Sequence, residues 1–176
     1  MEPSAGGVLI AAPSLDDPHF SRSVVHLIEH SDRGTMGVII NRPLPMDLGE
    51  LWPGAPEPLQ QVRIAADGGP VARHGGLILH RCPDLPGAQE LLPGLGGGGE
   101  SAALVERFAR GPDRRGPRLF LGHSSWGKGQ LASELRRGSW RVRRGRLDWI
   151  FDLDGLDGLW ERLSQDIDPL VNPSVN

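Results

Sequence analysis

Apolar residues in this chain come in short blocks separated by glycine and proline, and the blocks carry two different periods. The first, GVLIAA at 7–12, is uninterrupted and closed by Pro13, which predicts a buried strand. SLDDPHF then supplies turn residues. SVVHLIEH (23–30) and TMGVIINRP (35–43) are rich in β-branched residues and separated by the turn SDRG, so 23–43 reads as a hairpin. Residues 44–62 read as loop with one turn of helix. RIAADGGPVARHGGLILHR (63–81) predicts two short strands around a bend at Gly68-Gly69-Pro70. The segment 83–100, with its PGLGGGGE run, reads as flexible and low in information.

The period changes after residue 100. SAALVERFARG (101–111) has helical spacing, with Ser101 placed to cap it and Gly111-Pro112 to stop it. RLFLG (118–122) predicts a strand, GQLASELRRG (129–138) a short helix, and SWRVRRGRLDWIFD (139–152) one or two strands. GLDGLWERLSQDI (155–167) predicts an amphipathic helix, followed by a flexible tail at 168–176. Strands and helices mix without a βαβ repeat. That predicts an α+β fold, one domain over 1–176 with an ordered core of about 7–167 and a mixed, mostly antiparallel sheet or partial barrel flanked by a few short helices.

Composition narrows the function classes. The net charge of −3 gives no overall attraction to nucleic acid or anionic membranes. The single Cys82 excludes an internal disulfide and a multi-thiolate metal site. No apolar run is long enough to span a bilayer, and the start lacks the basic region of a signal peptide; the expected location is the cytoplasm.

Four stretches carry candidate chemistry. GHSSWGKGQL (122–131), between a strand and a helix, nearly matches a nucleotide-binding P-loop. The position after Lys128 is Gly129, which has no hydroxyl for magnesium, and Trp126 is bulky where a phosphate needs close backbone approach. The same stretch read as a nucleophile elbow at Ser124 fails because Trp126 stands where glycine is needed. His26 and His30 have i, i+4 spacing, but on a strand they would be about 13 Å apart, and no metal is expected. The basic segment 136–146 (RRGSWRVRRGR) puts Arg141 and Arg143 on one strand face as candidate nucleic-acid contacts; a charged, solvated sheet edge is the competing and more ordinary reading.

Taken in order, AAPSLDDPHFSRSVVHLIEH (11–30), GTMGVIINRP (34–43), GGPV (68–71), GLILH (76–80) and LGHSSWGKGQL (121–131) resemble the YqgE/AlgH family over most of the chain. The resemblance implies an α+β single-domain bacterial cytoplasmic protein. It implies little chemistry, although one branch of that family is called a transcriptional regulator of alginate synthesis. In this setting Gly129 is the expected turn into a helix.

The segments that carry the resemblance place polar or glycine residues just beyond apolar strands. Asn41, Arg42, Gly69, Trp126 and Gln130 are the leading candidates for a pocket, with Arg42 pairing to a small anionic ligand and Trp126 offering a stacking face. Asp16, Ser23, His30 and His123 are secondary candidates, the histidines and Asp16 as acid/base groups if the protein is a hydrolase or transferase. A structural alternative stands beside this: the glycines serve turns, Asn41 and Gln130 satisfy backbone groups, and Trp126 fills the core. The sequence therefore favours a regulatory or ligand-binding module, implies no cofactor, and leaves catalysis open.

Overall fold

The computed structural model describes residues 1–166; the expected tail at 168–176 and the last residue of the expected core lie outside them. In chain order the elements are β1 (Gly7–Ala11), β2 (Val24–Ser31), β3 (Gly34–Ile39), α1 (Leu48–Leu51), α2 (Glu57–Gln60), β4 (Ala65–Asp67), β5 (Val71–His80), β6 (Gln89–Leu92), β7 (Leu95–Gly97), α3 (Ser101–Arg107), β8 (Arg118–Gly127), α4 (Gln130–Arg136), β9 (Trp140–Arg144), α5 (Leu147–Phe151) and, after a 3-10 turn at 153–155, α6 (Leu159–Asp166). The strands form one curled sheet ordered β6-β7-β5-β8-β3-β2-β1-β9, with β4 attached to β8. All neighbours are antiparallel except β4 and β8, which run parallel. This is the α+β fold with a mostly antiparallel sheet that the pattern predicts.

β1 to β3 lack clean alternation because both of their faces are covered. On one face Val8, Ile10, Val24 and Val38, with Phe120 of β8, pack against Ile150 and Phe151 of α5, Leu156 after the 3-10 turn and Leu159 of α6. On the other, Leu9, Val25, Leu27 and Ile39 pack against Trp126, Leu131 and Trp140. A third cluster, with Leu48, Leu59, Leu104, Phe108 and Leu119, sits under α1 to α3. Burying strands on both sides favours continuous apolar runs such as GVLIA.

The central strand β8 is longer than the five residues its apolar block suggests, running on through His123, Ser124, Ser125 and Trp126. Gly122 sits in the left-handed region at φ 69 and bends the strand there. Beyond it, Ser124, Ser125 and Trp126 pair with Gly37, Met36 and Thr35 of β3.

Three other local expectations change. The segment 83–100 contains the hairpin of β6 and β7, and two of its glycines, Gly96 and Gly97, allow close packing. A Cβ at Gly96 would lie 2.4 Å from His80 Cε1, and one at Gly97 would lie 2.7 Å from Leu91 Cδ1. Glu100, not Ser101, takes the N-cap position of α3, and no side chain caps it. The segment 139–152 holds one strand and then the helix α5 rather than two strands.

Candidate anion site

β3 ends at Ile39, and the next residues turn along the loop between β1 and β2. Asn41 accepts the backbone N–H of Val24 at 2.9 Å through Oδ1 and donates from Nδ2 to the Arg22 carbonyl at 3.0 Å. Arg42 donates to the carbonyls of His19 and, at 2.7 Å, Ser21. Together they hold the chain while Arg22 adopts a left-handed backbone at φ 59, an uncommon conformation for a residue with a side chain. So held, Arg22 lays its guanidinium over the Trp160 ring at 4.9 Å and pairs with Glu161 at 2.8 Å.

These residues line a cavity of about 500 Å³ between the end of β3 and the turn leading into α6. Arg22, Arg42, Arg63 and Arg118 supply four positive groups to its lining, against two carboxylates, Asp157 and Glu161. Arg22 is neutralised by Glu161, and Arg63 is paired with Asp47 at 3.4 Å. Arg42 and Arg118 are the lining arginines with no carboxylate partner among the described residues.

Arg118 is the unusual one. It opens β8 with 1% of its surface exposed, in a position where an apolar side chain would ordinarily sit. Its Nη1 donates to the carbonyls of Ile40 at 3.2 Å and Ile150 at 2.8 Å, and its guanidinium lies 4.7 Å over the Phe120 ring. Nε, also buried, has no hydrogen-bond partner among the described residues. Burial pulls the pKa of the group down to about 10, so it stays charged at neutral pH. A buried charge without a counter-ion is costly, and so is a buried donor left unsatisfied. Arg118 also lines the cavity, where an anion would supply a counter-charge.

The other leading candidates lie elsewhere. Trp126 is buried and donates through Nε1 to Glu134 at 3.1 Å; Trp140 donates to the same oxygen at 2.9 Å. Gln130 accepts the Gly127 N–H and donates to the second Glu134 oxygen at 2.9 Å. Trp126, Gln130, Phe20 and Trp140 border a separate hollow of about 320 Å³ that shares no lining residue with the arginine cavity. Gly69, at φ 145, is wedged against β8, where a Cβ would sit 2.4 Å from the His123 carbonyl.

Among the secondary candidates, Ser23 is buried and donates to the Phe20 carbonyl, and Asp16 is exposed. His30 is exposed and its Nδ1 pairs with Thr35 Oγ1 at 2.7 Å, whereas His26 is buried, on the other side of a bulge between Leu27 and Glu29. No group of three His, Cys, Asp or Glu side chains among the described residues can hold a metal. His123 and Ser124 are consecutive on β8, so they point to opposite faces, and the Ser124 hydroxyl donates to the Gly68 carbonyl at 3.2 Å. With β8 running to Gly127, no loop remains before Lys128 to cradle a phosphate. Arg141 is exposed and Arg143 half-buried on the edge strand β9, with Arg143 lying 5.7 Å over Trp149.

Sequence reasoning reached Asn41 and Arg42 but passed over Arg118. The available signal was a charged residue heading an otherwise apolar strand block, RLFL, and it was lost among eighteen arginines.

The fold and cavity define an α+β protein built on a curled, mostly antiparallel sheet, with an arginine-lined pocket where the sheet meets its last helices. Comparison with known proteins agrees with this class and makes it specific. A family model described as AlgH-like (DUF179) matches residues 8–170, and the chain belongs to this AlgH/YqgE family. It is 40% identical over 152 residues to a UPF0301 protein of Myxococcus xanthus, covering 80% of this chain and 78% of that one. A UPF0301 protein of Cereibacter sphaeroides, Rsph17029_2659, is 37% identical, with 97% and 96% covered. Two solved structures share the fold. The crystal structure of DIP2367 from Corynebacterium diphtheriae superposes with a TM-score of 0.72 at 26% identity, covering 92% of this chain and 88% of that one. The solution structure of AlgH from Pseudomonas aeruginosa, PA0405, gives 0.69 at 29% identity, covering 98% and 97%. No described helix is long and apolar enough to cross a membrane.

Proposed function

We propose that this protein is a ligand-binding module that takes a small anion in the cavity between Arg42 and Arg118. The observation that carries the reading is Arg118: a buried guanidinium that, among the described residues, has no carboxylate partner and an unsatisfied Nε, lining a cavity with an excess of positive charge. Binding is favoured over catalysis because the strongest nucleophile–base candidates, Ser124 and His123, face apart and Ser124 is committed to a backbone carbonyl.

Thermal denaturation in phosphate, against chloride at matched ionic strength, tests this. A ligand at ten times its Kd adds about 1.4 kcal/mol, or about 4 °C for a domain of this size. Arg42→Ala should abolish that increment, whatever it does to the starting midpoint. No phosphate-specific increment, or the same increment in Arg42→Ala, overturns the proposal.

A further inference from the structure

The segment that brings Asp157 and Glu161 to the same cavity also brings apolar side chains to it. Leu153, Leu156, Leu159 and Trp160 line it from the 3-10 turn and α6. Leu153 is 37% exposed, one of three large hydrophobic side chains left open among the described residues. Leu153 and Leu159 also line a second cleft of about 880 Å³, so the two hollows adjoin along these leucines. On its side of the leucines the second cleft offers Trp149 and Phe151.

Charge is distributed unevenly along this path. Near the surface, Arg22 and Glu161 neutralise one another, with side chains 64% and 45% exposed. The uncompensated charge lies inward, at the buried Arg118 and the half-buried Arg42. An inorganic anion would use only the inner end and leave Leu153, the exposed leucine of the lining, in water. A molecule with one anionic head and a short apolar body would use both ends, with its head inward and its body running over Leu153.

We infer that the ligand class is an organic anion with an apolar chain, an alkyl phosphate or alkyl carboxylate, with Leu153 as the specificity-determining contact. The inference rests on the anion-binding reading above and deepens it. A free inorganic anion and an organic one share the head chemistry, so the test varies the chain.

The experiment is calorimetric titration of the full-length protein with inorganic, methyl, butyl and hexyl phosphate, and with acetate and hexanoate, all below their micelle concentrations. The expected result is tighter binding along each series, by roughly three- to fourfold for each methylene that reaches the leucines. The ratio of hexyl to inorganic phosphate affinity should fall about tenfold in Leu153→Ser. The phosphate and carboxylate arms then identify the preferred head. Phosphate binding with a flat chain-length series overturns the apolar-chain inference and leaves the anion reading standing. A chain-length series unaffected by Leu153→Ser overturns the assignment of Leu153. No binding by any of these anions overturns both readings.

Discussion

His26 gives the fold a specific sensitivity to acid. The residue lies on β2 opposite Val8 and Val38, with 1% of its surface exposed. Neither ring nitrogen makes a well-formed hydrogen bond among the described residues, and a Cβ at Gly145 would come within 2.9 Å of Nε2. Burial therefore pushes the imidazole pKa from 6.5 down to about 4, opposed in part by the Leu27 backbone. The folded pKa is the lower one, so between the two values the unfolded chain binds the extra proton. The stability from keeping His26 neutral is complete above pH 6.5 and is lost as pH falls towards 4. At about 1.4 kcal/mol per pH unit, the loss from pH 7.5 to 5 is about 2 kcal/mol. Urea unfolding of the wild type and His26→Leu at half-unit pH steps isolates this contribution, because leucine suits the apolar site and does not titrate. The wild type should lose about 2 kcal/mol more than the variant over that range. Parallel curves for the two proteins would refute the claim that His26 is buried uncharged.

Two further predictions follow from the packing. Gly69→Ala places a Cβ against the His123 carbonyl and forces alanine to φ 145, so it should cost about 3 kcal/mol or more, read as a lower urea midpoint or loss of soluble protein. Glu134→Ala leaves the Trp126 and Trp140 indole N–H groups without their acceptor, and should cost about 2–3 kcal/mol and shift the tryptophan emission; an unchanged midpoint would show that water replaces the carboxylate without loss.

The legible parts of the fold were those in which one physical factor acted alone. β1 and the first hairpin were readable because burial on both faces writes an uninterrupted β-branched run. The hairpin of β6 and β7 was not, since glycine there reflects the approach of His80 and Leu91, and composition alone makes the same residues look flexible. The end of β8 was legible in principle: Ser124 and Trp126 are buried while Ser125 is exposed, a period of two. That alternation was masked by the glycine–lysine spacing of a phosphate loop. At the site, Asn41 and Arg42 stood out as polar residues just beyond a strand. Their partner Arg118 comes from a strand 78 residues further on than Ile40, whose carbonyl it holds, a separation no local pattern bridges. Trp126 was read with Arg42 because both follow strands, but the curl of the sheet sends them to different cavities.

The claim that matters most is that the Arg118 guanidinium, unsatisfied at Nε, is an anion receptor. Arginine Nε–Hε correlations recorded by NMR during a phosphate titration report on that group, with the Arg118 signal assigned by its loss in Arg118→Lys. The account predicts that this resonance moves downfield saturably as phosphate is added, and that it stays still over the same titration in Arg42→Ala. An Arg118 resonance that does not move while phosphate reaches saturating concentrations would contradict it.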